Sequence, residues 1–309
     1  MISGIDPVAE QFLADLRGSQ ERTNSAERQI SSGLKFHDAS DAPDQVSDIL
    51  TLRAGIARNA QVRSNLEGLR TEVNTAEQAV ENAVQLVERA RVLASQGATG
   101  TQSATTRMQI AQEVRSIYEQ LLGLSASQVG GRFIFSGDAD QSISYEADAV
   151  NPDLGGGVTQ IGTAQATRLI LDPVGSTFTV DHTAQQIFDS QNPDGTPDAG
   201  NVFVAVNQLR VALEANDVTG MVNSVATLAV AGDHLNAQLG FYGASQNRIQ
   251  SATQLSDQIE LQFKTELSDK QDADLAEAIL EINQGKLQQD ASLGARAMFR
   301  RTSLFDYLG

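Results

Sequence analysis

Histidine is the side chain best suited to proton transfer or metal ligation near neutral pH, and this chain has three: His37, His182 and His234. Their sequence contexts are unrelated, and none has a second ligand at metal-binding spacing. Serine, histidine and aspartate are all present, but no G-x-S-x-G turn lifts a serine into a nucleophile position. The Gly155–Gly157 run lacks the following lysine and helix of a phosphate-binding loop and reads as a plain turn. Asn192-Pro193-Asp194-Gly195-Thr196-Pro197-Asp198 has the residue types of a calcium loop. It lacks the alternating carboxylates and the distant closing glutamate, so its proline and glycine predict a turn. Asp272 and Asp274 fall in a charged stretch expected to be a solvated helix face. These residues predict no catalytic, cofactor-binding or metal site, hence a protein that is not an enzyme and needs no cofactor.

The information lies instead in a step of alternating threes and fours. It runs through Phe12, Leu16, Ser19, Thr23, Ala26 and Ile30. It returns at Leu66, Leu69, Val73, Ala76, Val80, Ala83, Val87, Ala90 and Ala94, and again from Val218 through Met221, Val225, Leu228, Gly232, Leu235, Leu239, Tyr242, Gln246 and Ile249. That step puts a narrow stripe on one side of a helix, where it seats against another helix. Many stripe positions are small or polar, so the seams are thin. The first stripe is half apolar, and the last (Leu275, Ile279, Ile282, then Leu287 and Leu293) is broken by glutamine and glycine. Neither would hold a helix in isolation. The two ends are therefore expected to order when a partner supplies the missing surface.

Composition agrees. The 309 residues allow two or three domains, yet aromatic residues are only 5% and tryptophan is absent, which suits thin-seamed helices better than one thick core. A net charge of −17 makes nucleic acid and anionic membrane poor partners. With no cysteine there is no disulfide framework and no thiol chemistry. No run of 18 apolar residues suggests a membrane span, and the first twenty residues lack the layout of a cleaved signal peptide.

Punctuation divides the chain. A first helix, 7–32, has Pro7 in its first turn and Gly33 just past its end. A second starts at Pro43 and runs to about 95. A third covers about 104–129 and is expected to stop at Gly130-Gly131. Residues 132–200 alternate short β-prone runs with turns. Helices then return at 201–215, 217–240, onward to about 267, and 271–299. The expected fold class is mainly α: a long antiparallel helical bundle or coiled-coil hairpin formed by both chain ends, with a small β-rich module inserted in the middle. Its expected parts are an N-terminal assembly helix and turn at 1–42, helical arms at 43–131 and 201–269, the β-rich module at 132–200, and a C-terminal assembly helix at 270–309.

Three segments resemble the bacterial flagellin family. ISSGLKFHDASDAPDQVSDILTLRAGI (30–56) is similar to the family's turn into its long helix, with Ala42 where a second acidic residue is common. LGFYGASQNRIQSA (239–252) is similar to the start of its returning helix, and DADLAEAILEINQGKLQQDASLGARA (272–297) to its terminal region. Within the family, GGRFIFSGD (130–138), the passage from GSTFTVDH into NVFVAVNQLRVALEANDV, and the ending SLFDYLG resemble members at the hook–filament junction more than filament subunits.

The resemblance implies a structural subunit of the bacterial flagellum. It implies export without a cleaved signal peptide through the flagellar type III channel, and self-assembly of the terminal helices into a ring layer at the hook–filament junction. The implied partners are further copies of the chain, the adjacent hook-associated junction protein, filament flagellin, and an export chaperone on the C-terminal helix. Neither nucleic acid nor membrane is implied. On that basis the expected assembly contacts are Phe12, Leu16, Ile30, Ile279, Ile282, Leu293, Phe299, Leu304, Phe305 and Leu308. A short filament flagellin, or a soluble coiled-coil signalling or adaptor protein, are the alternative readings.

Overall fold

The computed structural model describes residues 7–36, 42–162 and 165–298. In chain order its helices are α1 (Pro7–Ser32), α2 (Pro43–Ala98), α3 (Ala104–Ser125), α4 (Ala184–Phe188), α5 (Val202–Glu214), α6 (Val218–Gln271) and α7 (Leu275–Met298). Between α3 and α4 lie six short strands, β1 (Gln128–Val129), β2 (Arg132–Phe133), β3 (Tyr145–Ala147), β4 (Val158–Gln160), β5 (Ile170–Leu171) and β6 (Thr177–Phe178). They pair as three separate antiparallel hairpins, β1–β2, β3–β4 and β5–β6. The mainly α class with a β-rich middle is thus the observed one.

The chain forms two compact units. One holds Asn59–Gln258; the other holds the described residues up to Arg58 and from Ile259 onward. In the first, α2 runs antiparallel to α6: Asn59 Nδ2 donates to the Ser256 carbonyl (2.8 Å), and farther along Gln246 Nε2 reaches Asn74 Oδ1 (3.0 Å). The second stripe of the sequence is wholly buried here, each of its nine side chains at 4% exposure or less. Leu66, Leu69, Val73 and Val87 face Leu228, Leu235, Tyr242 and Ile249 in one continuous core, which α3 and α5 complete.

That core thickens under the β-rich segment. Phe203 of α5 stacks on Phe188 (5.8 Å between centroids) and meets Tyr145 (5.5 Å) and Tyr118 (6.4 Å), while Phe135 stands edge-on to Phe188 (5.9 Å). Thr183 opens α4 with a reciprocal cap, its hydroxyl accepting from Gln186 N while Gln186 bonds back to Thr183 N.

Charged anchors hold the loops. Glu72 of α2 accepts from Arg132 (2.6 Å) and Arg168 (2.5 Å), and Arg168 also forks onto Asp181. Arg210, 4% exposed in its side chain, donates to the Pro152 carbonyl, Asp153, Asn207 and Glu214. Arg107 donates to the Gly97 and Thr99 carbonyls and to Asn216 Oδ1, so one guanidinium fixes both the α2–α3 and α5–α6 turns. Among the described residues no buried side-chain nitrogen or oxygen lacks a hydrogen-bond partner.

Two expected boundaries move. Helix α3 ends at Ser125, not 129, because Gly130 and Gly131, both at positive φ, form the β1–β2 hairpin turn. The break expected near 240 is absent. Helix α6 continues through Gly240 and Gly243, since burial of Tyr242, Ser245 and Ile249 around them outweighs the roughly 1 kcal/mol that each glycine costs a helix.

His182 lies flat on Phe241 (3.6 Å between centroids, 10° between planes), with Nδ1 2.6 Å from Gln238 Oε1. Burial lowers its pKa, opposed by the Gln238 bond and the Asp181 charge and reinforced by His234. As pH falls the unfolded chain takes up this proton first. The stability from neutral His182 is therefore full above about pH 6.5 and declines below it. Urea denaturation between about pH 7 and pH 5.5 is expected to show that decline, flattened in His182→Phe.

Candidate assembly interface

The unit built from both ends of the chain has a different chemistry. Gly33, at φ +74°, closes α1 by donating to the Gln29 carbonyl (2.7 Å). The chain then pairs briefly with the α6–α7 connection. Lys35 N donates to the Gln271 carbonyl (2.8 Å), Ala273 N to the Gly33 carbonyl (2.9 Å), and Lys35 Nζ to the Asp269 carbonyl (3.0 Å). Asp274 starts α7, its Oδ1 accepting from Ala276 N (2.9 Å) and Glu277 N (3.1 Å). The Asp272–Asp274 pair is therefore not a solvated helix face. It is the connection between two helices, with Asp274 as a cap and Asp272 accepting from Ser268 (2.5 Å).

From that connection α7 runs back antiparallel to α1. The seam is made of Ser19, Thr23 and Ala26 on α1 and Ala278 and Gly285 on α7, all buried. Ser19 Oγ reaches the Gly285 carbonyl (3.5 Å), and Thr23 Oγ1 turns back onto the Ser19 carbonyl (2.9 Å). A Cβ at Gly285 would collide with Thr23 Oγ1, so the glycine is a requirement of the close approach. Arg22 and Gln288 (3.4 Å) edge the seam, and beside it Leu16, Gly18 and Ser292 line a shallow groove of about 370 Å³. In the same unit Arg53 bonds Gln271 (2.7 Å) and Lys270 bonds Asp48 (2.6 Å).

Most of the described large apolar side chains on these helices are exposed. Ile30 (37% exposed), Leu13, Leu275, Ile279, Leu280, Leu293 and Leu287 (70%) face solvent, as do Leu50 and Leu261. Of the expected assembly contacts, Ile30, Ile279 and Leu293 are exposed, and Phe12, Leu16 and Ile282 are half-buried. Phe299, Leu304, Phe305 and Leu308 lie outside the described residues. Leu13, Leu280 and Leu287 were not among the expected contacts. Their seven-residue spacing (Leu280, Leu287) was the available signal. These exposed large side chains are the apolar surface that the α1–α7 pairing leaves uncovered in the single chain.

The residues first considered for chemistry come to nothing similar. His182 bonds Gln238 of α6, His234 bonds the Gln186 carbonyl of α4, and His37 is outside the described residues. Asp194 accepts from Thr196 N and Oγ1, closing a turn. Among the described residues no group of three His, Asp or Glu side chains could hold a metal, and no helix is long and apolar enough to cross a membrane.

Residues 8–140 match the bacterial flagellin N-terminal helical region. The chain is 26% identical over 220 residues to flagellar hook-associated protein 3 of Salmonella typhimurium, spanning 68% of this chain and 67% of that one. Its fold is similar to that of a Vibrio parahaemolyticus protein assigned to the flagellar hook-associated proteins (TM-score 0.64, 19% identity, 75% of this chain and all of the other). It is also similar to the flagellar junction protein FlgL of Legionella pneumophila (TM-score 0.52, 14% identity, 66% and 99%). The family resemblance read from the sequence holds.

Gly285→Leu should part α1 from α7 and leave the other unit intact. Hydrogen exchange is expected to show protection lost over residues 19–26 and kept over 66–94. Equal loss in both stretches would contradict this independence of the seam.

Proposed function

We propose that this chain, which carries the N-terminal helical region of bacterial flagellins, is a structural subunit of the bacterial flagellum that forms the junction layer between hook and filament. The observation that carries the reading is the α1–α7 pair, which closes on small residues and turns its large apolar side chains outward. Each such side chain is worth about 25 cal/mol per Å² when a neighbour buries it, before ordering costs. A ring of copies supplies that neighbour. The adjacent hook-associated protein and filament flagellin supply the faces above and below, and an export chaperone covers α7 beforehand.

Export fits the same chemistry. A chain without cysteine carries no covalent cross-link that would stop it threading unfolded through a channel. The role is structural, and the outward side chains are its working residues.

The double variant Leu280→Asp/Leu287→Asp tests this directly. Both side chains are exposed in the single chain, so stability should stay within about 0.5 kcal/mol by urea titration. Incorporation into flagella, and with it motility, should be lost; normal motility would refute the assignment of this face. An antibody to the 132–200 module, viewed on intact flagella by electron microscopy, should give one narrow band where hook meets filament. Label along the whole filament would make the chain a short filament flagellin, and no label would return the coiled-coil adaptor reading.

A further inference from the structure

We infer that the open edge of β5 pairs with β5 of a second copy of this chain, antiparallel and centred on Ile170. The β5–β6 hairpin is stiff. Asp172 N donates to the Ser176 carbonyl (2.8 Å), and Gly175 N to the Asp172 carbonyl (3.0 Å) with Gly175 at φ +90°. The Asp172 carboxylate also accepts from Val174 N (2.7 Å) and Ser176 Oγ (2.7 Å). Ile170 sits opposite Phe178 and Leu171 opposite Thr177. In an antiparallel ladder, bonded and non-bonded pairs alternate. With Asp172 and Ser176 a bonded pair, Leu171 belongs to a non-bonded one, and its N–H and C=O point away from β6.

Two residues back, Leu169 presents its groups the same way. Among the described residues nothing bonds either pair of groups. The inner face is anchored, with Phe178 buried and the Arg248 guanidinium 4.3 Å from its ring centroid. The outer face is not: Leu169 is 63% exposed and Leu171 49%. An unpaired, rigid edge with two exposed leucines is a template for another strand.

The backbone on either side of β5 limits the register. Pro173 has no N–H, so pairing cannot slide toward the turn. Thr167 N is already bonded to Asp138 (3.1 Å), so it cannot slide the other way. Only residues 169–171 remain open, and a second copy centred on Ile170 matches them. Leu169 then faces Leu171 of the other copy in a bonded pair, twice over, and Arg168 faces Asp172. No like charges meet, and leucine packs on leucine. A one-residue slip would turn the leucines to the opposite face. A two-fold contact of this kind is closed and joins copies in pairs. Its small area makes it weak, a contact of concentrated protein. It involves none of the residues of the α1–α7 face and stands independently of the proposed flagellar role.

Because the chain has no cysteine, Leu169→Cys/Leu171→Cys places a thiol of each copy opposite one of the other. Like residues in the single variants lie roughly 8 Å apart, beyond disulfide reach. Under mild oxidation of the full chain, the double variant should form covalent dimers about tenfold faster than either single variant. Equal rates would overturn the register. By sedimentation, the unsubstituted chain should dimerise as concentration rises, and Leu171→Pro, which removes an outward N–H and no internal bond, should abolish this. A chain that stays monomeric, or a dimer that survives Leu171→Pro, would overturn the pairing itself.

Discussion

Two helices can pair through serine, threonine, alanine and glycine only when their backbones come close, and that closeness leaves the larger side chains outside. This constraint governs the α1–α7 unit. Gly285 against Thr23, Ala278 and Ala26 bury little apolar area, so the seam aligns the helices more than it stabilises them. In the other unit α2 also carries alanine at Ala76, Ala83, Ala90 and Ala94. There the small residues are interleaved with Leu66, Val73, Val80 and Val87, and α3 and α5 add a second layer over them. The same step of threes and fours thus yields a finished core in one place and an unfinished surface in the other.

The β-rich segment is held by charge as much as by apolar contact. Its three hairpins are too short to stand alone. Glu72 takes Arg132 and Arg168, two positions far apart in the segment, onto one carboxylate of α2. Arg210 and Asn207 do the same for the loop at Pro152–Gly155. Breaking one partner of such a half-buried network leaves the others uncompensated, a larger loss than any one pair is worth.

Much of the fold was legible in the sequence because its signals are local. Pro7, Pro43, Gly33 and the long stripes mark helix starts, ends and buried faces through geometry that needs no partner. The errors came where tertiary packing competes with a local rule. Gly130-Gly131 became a hairpin turn, and Gly240 and Gly243 were carried inside α6 by the buried residues around them. The assembly face was only partly legible. Periodicity ranks residues by the stripe they share, and it picked Phe12, Leu16 and Ile282, which are half-buried in the single chain. Leu13 and Leu280 lie off the stripes, Leu287 lies on one without having been picked as a contact, and nothing in the sequence states which face the small-residue seam has already used. The β5 edge was invisible to the sequence reading, since it depends on which backbone groups a hairpin leaves unpaired.

The contact between Ser19 and Gly285 joins positions 266 residues apart. Closing a loop of that length in an otherwise unfolded chain costs about 5 kcal/mol in chain entropy, and less once the Asn59–Gln258 unit has folded and shortened the loop. It also sets an order of events. The early half of the seam is complete when α1 exists, yet it has nothing to close against until α7 has been delivered. Whether the chain emerges from a ribosome or from any channel that passes it end to end, the Asn59–Gln258 unit can form first and the terminal unit last. The architecture works as a completion check, because a chain cut short anywhere before α7 has no seam to show.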